Sequence, residues 1–379
     1  MIYLDNAATS WPKPETVYKA IDDCMRNYAA NPGRSGHKLA MRAAREIYAT
    51  RELAAELFHV QQPERIIFTS NTTESLNMAI KGLVKSGDHV ILSSMEHNSV
   101  IRPLKKLEKQ GVSLTILPCN REGALDLALL YAAIRPETKL IVCLHASNVT
   151  GTLLPIAQIG AVAKKKGIRF LVDAAQSAGV YDIDIPQMGV DMLAAPGHKG
   201  LFGPQGTGLL YVGEGISLDT LEEGGTGSKS AEFMQPDFLP DRLESGTVNT
   251  PGIIGLQAGL QFLEKEGLAA IRSYEEELCQ NMIDGLLNIP GVCVYGPQDA
   301  KKQAAVVAFN LPNMDCSKAA YLLDSEYCIA CRPGLHCSPL AHNTIGTGGK
   351  GALRFSMGYF NSKSDVLYAL SAVRQLVKG

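Results

Sequence analysis

The sequence predicts an α/β chain, with a mainly parallel sheet covered by helices on both faces and a smaller α+β unit after it. Three observations predict this. From Glu64 to about Val212, short apolar runs alternate with amphipathic stretches of helical period, as in repeated strand–helix units. After Pro251 that alternation gives way to a long helical stretch, several strand-like runs and a last helix. At 379 residues, 46% of them hydrophobic, the chain can bury two cores.

Taken in order, the apolar runs 65–69, 89–92, 114–117, 140–144 and 168–172 read as strands. Helices are predicted between the first three, through Met78 and through Glu108. One amphipathic helix is predicted over roughly 253–287, followed by strands at 292–295, 305–309 and 353–357. The expected organisation is an N-terminal segment 1–15 packed on the small unit, a large domain 16–250 and a small domain 251–379. In such sheets ligands bind beyond the carboxyl ends of the strands.

The 36 basic and 38 acidic side chains leave a formal charge of −2, with no footprint for nucleic acid or an anionic membrane. No apolar run reaches spanning length, and the opening Met-Ile-Tyr-Leu-Asp-Asn lacks the order of a signal peptide. The nine cysteines show no paired metal spacing, so free thiols, a cytoplasmic location and no metal site are expected.

The candidate chemistry collects at the strand ends. Asp173-Ala-Ala-Gln176 follows the 168–172 run, and a carboxylate there can face a protonated ring nitrogen while Gln176 bonds a ring hydroxyl. Gly197-His-Lys-Gly200 then places Lys199 in a loop poor in solvating charge, where burial favours the neutral amine of a Schiff-base lysine. Together these are the parts that hold and activate pyridoxal phosphate. Asn71-Thr72-Thr73-Glu74 opens a helix, so free N–H groups and two hydroxyls can meet a phosphate; the same residues fit a capping box, and both readings can hold at once.

His97 lies past another strand, placed to stack on a cofactor ring and carry a proton, or to serve as a structural hydrogen-bonder. Asn148 can donate to a ring oxygen or a substrate carboxylate, or form a turn before Gly151. In the small unit, Cys337 stands in the Gly- and Pro-punctuated loop Cys331-Arg-Pro-Gly-Leu-His-Cys337, near Arg332, His336 and His342. These surroundings favour a nucleophilic thiolate, whereas Cys328 and Cys331 read as bystanders. Arg354 can clamp a carboxylate through two parallel hydrogen bonds, or pair at the surface. The glycine-rich run 346–351 lacks the strand–loop–helix setting of a phosphate loop and reads as a connector.

Tyr3-Leu-Asp-Asn-Ala-Ala-Thr9, Asn71 to Asn77, Glu96-His-Asn-Ser99, Ser147 to Gly151, Asp173 to Gln176, Gly197 to Gly200, Glu244 to Thr250, the Arg332–Cys337 loop and Arg354 together give the chain its resemblance to a known family. It resembles the cysteine desulfurases of the class V pyridoxal-phosphate aminotransferases, and its Arg-Pro-Gly-Leu-His-Cys loop is similar to the group II, Suf-type branch. The resemblance implies fold type I, with a mainly parallel seven-stranded sheet. It implies Lys199 as the amine bonded to the cofactor, Asp173 on the ring nitrogen, Gln176 on the ring hydroxyl and His97 on the ring face. Thr72, Thr73 and His198 would hold the phosphate, with Asn148 also near the cofactor. A homodimer is implied, in which Thr247 reaches the partner's phosphate. Asn148, Arg354, Arg332 and His37 would receive L-cysteine, or L-selenocysteine as the alternative substrate, with Cys337 taking the sulfur and a sulfur-acceptor protein receiving it. Other class V chemistry, such as transamination, racemisation or lysis of a C–S bond, and a non-catalytic scaffold are the competing readings. Two positions depart from the family pattern. Pro196 replaces a serine that donates to phosphate, and Leu335 replaces a polar loop residue.

Overall fold

The computed structural model describes residues 1–33 and 36–378. Seven strands form the main sheet in the order Ile66–Thr69, Gly208–Val212, Met192–Pro196, Arg169–Asp173, Thr138–Leu144, His89–Ser93 and Ser113–Leu117. Six of them point the same way, and Gly208–Val212 alone is reversed, antiparallel to both its neighbours. The sheet is therefore mainly parallel, as the sequence predicts.

Side-chain alternation explains why its strands are apolar throughout. Along Thr138–Leu144, Ile141 and Cys143 enter the core on one face while Leu140 and Val142 enter the core on the other. Val172 and Leu193 join the first face; Leu171 and Met192 join the second. Helices cover both sides, so neither face meets water.

The second unit is a four-stranded antiparallel sheet ordered Arg332–Gly334, Ala352–Ser356, Val306–Asn310, Cys293–Tyr295. Its core joins Leu353, Phe355, Val307 and Phe309 to the Leu268–Leu287 and Lys363–Lys378 helices. The single helix predicted over 253–287 is in fact two, Thr250–Glu266 and Leu268–Leu287. Gly267 separates them at φ 81°, a conformation that only glycine adopts without penalty, so an unbroken hydrophobic period runs through a break in the backbone. The first helix packs on Glu15–Asn27 and Lys38–Leu57, the second on Lys363–Lys378.

The N-terminal segment joins the two units. Ile2–Tyr3 pairs in parallel with Ile329–Ala330, and the Ser10 N–H donates to the His198 carbonyl at 3.1 Å.

One buried ion pair ties the chain together beside the sheet. Arg51 meets Glu244 through two parallel bonds of 2.7 and 2.9 Å, and the Phe68 N–H donates to the same carboxylate at 2.7 Å. Both side chains are under a tenth exposed. Removing one partner strands a buried charge. Glu244→Ala is therefore expected to lower unfolding stability by about 3 kcal/mol in a urea titration, with Glu244→Gln closer to the parent. No helix among the described residues is long and apolar enough to cross a membrane.

Candidate active site

A cleft opens where the carboxyl ends of the parallel strands face the small sheet. Lys199, Asp173, Gln176, His97, Arg354 and Arg332 all line it. Three of them reach it because an element ends there: Asp173 closes the Arg169–Asp173 strand, Lys199 follows Met192–Pro196, and His97 caps the Asn98–Glu108 helix.

Burial pushes the Lys199 amine down to about 8, helped by the Arg354 and Arg332 guanidinium groups and opposed by the Asp173 carboxylate. Asp173 is raised by its own burial; the Ala175 N–H at 2.9 Å and Lys199 pull the other way. A lysine near 8 has a neutral fraction roughly 300 times that of a lysine at its ordinary 10.5, at any pH well below both values. Only the neutral amine attacks an aldehyde. Raising pH through about 8 therefore increases reactive Lys199, and the rate at which cofactor-free protein takes up pyridoxal phosphate, followed by visible absorbance, is expected to rise and level off there. A rate still climbing steeply at pH 10 would contradict this.

His97 Nδ1 accepts from the Ser99 N–H at 3.1 Å and lies 2.9 Å from Ser99 Oγ, which leaves Nε2 as its free end. Burial first, then the charges of Lys199 and Arg332, hold its pKa at about 4, so the ring is neutral near pH 7. The anion cradle and the helix cap coexist. Asn71 Oδ1 accepts from the Glu74 N–H at 3.0 Å, and Glu74 reaches back to the Ser70 N–H at 2.6 Å. Thr73 Oγ1 meets Ser99 Oγ at 2.8 Å, while Thr72 Oγ1 is buried with no partner among the described residues. An unpaired buried hydroxyl at a helix N-terminus fits a phosphate oxygen. His198 is bound through Nδ1 to Thr9 Oγ1 at 3.1 Å, and Pro196 lines the cleft without an N–H. The donor set thus fits pyridoxal phosphate: a lone hydroxyl and helix N-terminus for phosphate, a buried carboxylate for the ring nitrogen, and an amine depressed by burial.

Arg354 is 1% exposed, so surface pairing does not describe it. Its Nη2 donates to Asp5 at 2.7 Å and its Nη1 to the Asn148 carbonyl at 2.9 Å; Nε has no partner among the described residues. Gln176 Nε2 donates to the Ala7 carbonyl at 2.9 Å, leaving Oε1 as its other polar end.

Cys337 is exposed, and the Arg332 Nη2 lies 3.5 Å from its Sγ. Burial raises the neighbouring Cys331 thiol to about 12, which removes it as a rival nucleophile. His336 and Cys337 both have positive φ, 49° and 60°, which costs non-glycine residues roughly 1–2 kcal/mol each. The loop is held by a relay: His336 Nε2 donates to the Arg332 carbonyl at 3.1 Å, His336 Nδ1 accepts from His342 Nε2 at 3.1 Å, and His342 Nδ1 accepts from Thr347 Oγ1 at 2.7 Å. Burial keeps the two rings uncharged, at about 3 and about 4.

Three of the expected site residues have other partners within this chain. Asn148 is at the cleft, but its amide is already engaged with the cysteine loop, donating to the His336 carbonyl at 2.7 Å and accepting from Ser338 Oγ at 2.7 Å. One of its two amide N–H donors is thereby used, and the residue still lines the cleft. His37 is exposed and lies outside the cleft, where its Nδ1 caps the Lys38–Leu57 helix by accepting from the Ala40 N–H at 3.3 Å. Thr247 is likewise outside this chain's cleft, 3.2 Å from Asn31 Nδ2.

Sequence reasoning missed Asp5, Lys13 and Glu96. Lys13 Nζ donates to the His198 carbonyl and to Ser10 Oγ, both at 2.7 Å, beside the reactive lysine. Glu96, raised to about 8 by burial, binds Ser93 Oγ at 2.6 Å and the Leu144 N–H at 3.1 Å, fastening two strand ends behind His97. Asp5 and Glu96 lie in segments that carry the family resemblance, but no local pattern gives them these partners, and none marks Lys13.

This combination of sheet topology, strand-end carboxylate and depressed lysine is that of a fold type I pyridoxal-phosphate enzyme. The chain belongs to the class-V aminotransferase family, whose model matches residues 2–368. It is 36% identical to a probable cysteine desulfurase of Pyrococcus abyssi, across 100% of this chain and 94% of that one. A probable cysteine desulfurase of Halalkalibacterium halodurans is also 36% identical, across 97% and 90% of the two chains. The solved cysteine desulfurase of Thermococcus onnurineus NA1 superposes with a TM-score of 0.91 at 35% identity, covering 100% of this chain and 95% of that one. That of Escherichia coli gives 0.90 at 31% identity, covering 99% and 94%.

Proposed function

We propose that this chain is a pyridoxal-phosphate-dependent cysteine desulfurase that converts L-cysteine to L-alanine and keeps the sulfur as a persulfide on Cys337. The observation that carries this reading is one cleft in which Lys199, Asp173 and Arg354 face the loop that holds Cys337 beside Arg332. An aminotransferase has no use for that thiol.

When bound, the cofactor supplies an aldehyde to capture the substrate amine and a ring that accepts electron density from the substrate Cα. Thr72, Thr73 and His198 would hold its phosphate, Asp173 its ring nitrogen, Gln176 its ring hydroxyl and His97 its face. Arg354, steadied from behind by Asp5, anchors the substrate carboxylate, and Arg332 stands beside the attacking sulfur. Lys199 in its neutral form takes the Cα proton. The Cys337 sulfur then forms an S–S bond to the substrate sulfur while the substrate Cβ–Sγ bond breaks. The bonding pair stays on Cβ and is protonated, so L-alanine leaves and the extra sulfur stays on Cys337.

The protein would work as a homodimer in the cytoplasm and pass its sulfur to an acceptor protein. Thr247, outside its own cleft beside Asn31, supports a role across a subunit boundary, and nine unpaired cysteines support a reducing compartment. Feeding L-cysteine with a reductant should yield alanine and sulfide in equal amounts. Amino-group exchange with a keto acid and no sulfide would overturn the reading.

A further inference from the structure

We propose that Asn148 is a positioning residue that holds the cysteine loop and presents the Cys337 sulfur to the cleft. The inference rests on Cys337 being the nucleophile. Its basis is that one buried amide grips the residues on both sides of that cysteine. Asn148 Nδ2 donates to the His336 carbonyl and Asn148 Oδ1 accepts from Ser338 Oγ, each at 2.7 Å. Asn148, His336 and Ser338 are 8%, 3% and 0% exposed, so neither bond competes with water.

Ser338 adds an independent sign. It occupies the N-cap of the Pro339–Ile345 helix, where a serine hydroxyl ordinarily binds a backbone N–H of the first turn. Here it makes no such bond, and the hydroxyl is given to Asn148 instead. The loop also needs an external hold, since His336 and Cys337 are both in the left-handed region. The Asn98 N–H adds one, donating to the Cys337 carbonyl at 2.9 Å next to His97.

Asn148 is itself anchored to the large sheet. It sits between the Thr138–Leu144 strand and Gly151, whose φ of 75° and approach to the Ala304 carbonyl leave no room for a Cβ. Its own carbonyl accepts from Arg354 Nη1 at 2.9 Å. The group that anchors the substrate carboxylate and the loop that carries the thiol are thus joined through a single residue, which fixes their separation.

The test compares Ser338→Ala, Ser338→Thr and Asn148→Ala in the full-length protein with cofactor. Three quantities are read: cofactor absorbance, the rate of sulfur transfer to Cys337 in one turnover, and the rate at which iodoacetamide alkylates Cys337 without cysteine. Ser338→Ala should keep the absorbance and the spectral change on adding cysteine, yet slow sulfur transfer about tenfold; Asn148→Ala should slow it about a hundredfold. Alkylation of Cys337 should change in the same two variants, and Ser338→Thr, which keeps the hydroxyl, should restore both rates. Wild-type rates in Ser338→Ala overturn the proposal. So does loss of cofactor from Asn148→Ala while both Ser338 variants behave as wild type, because Asn148 would then act on the cofactor. If the transferred sulfur is found on another residue, the reading of Cys337 fails, and the alkylation rates still decide whether Asn148 controls the loop.

Discussion

Lys199→Ala is expected to lose covalent cofactor attachment and to lower desulfuration by at least about 10³-fold. The size follows from two tasks resting on one amine, attachment to an aldehyde and transfer of the Cα proton, with no second amine placed to take over. Lys13 is the nearest rival, and burial lowers it to about 8 as well. Its Nζ, however, is spent on the His198 carbonyl and Ser10 Oγ. Borohydride reduction of cofactor-saturated protein followed by peptide mapping should label Lys199 in the parent and nothing in the variant. Label on Lys13 would show that the amine has been misassigned.

Cys337→Ser is expected to divide the reaction at a different place. Cofactor absorbance and its change on adding cysteine should persist, because among the described residues Sγ is hydrogen-bonded to Arg332 and not to Lys199, Asp173 or His97. Sulfur transfer should fall by about 10³-fold or more, since a serine hydroxyl is not ionised at neutral pH and cannot attack a sulfur at a useful rate. Undiminished sulfide release would place the nucleophile elsewhere. Burial already disfavours Cys331, whose thiol is raised to about 12, and Cys143, whose thiol is raised well above its ordinary value.

The parts of the site that sequence reveals are those whose geometry is local. Asp173 closes an apolar run, Asn71 to Glu74 cap a helix, and Lys199 follows a strand, so each can be placed from its immediate neighbours. What sequence does not reveal is reach. Asp5 and Arg354 meet across 349 positions, and Asn148 meets Ser338 across 190. Asn148 carries the lesson furthest, since nothing near a turn amide in the sequence tells that it grips a loop so far along the chain. The same holds for backbone breaks and strand direction. Hydrophobic period runs through Gly267 and so hides the division into Thr250–Glu266 and Leu268–Leu287. Nothing in the apolar run Gly208–Val212 tells that it lies antiparallel between two strands of the sheet.

The central claim is that the amine of Lys199 and the thiol of Cys337 serve one reaction in one cleft. Mass spectrometry of the intact holoenzyme after seconds of exposure to L-cysteine, followed by peptide mapping, tests it most directly. The account predicts a single added sulfur on Cys337, present in the parent and missing from both Lys199→Ala and Cys337→Ser. Alanine formation without that adduct, or an adduct that survives the loss of Lys199, would contradict it.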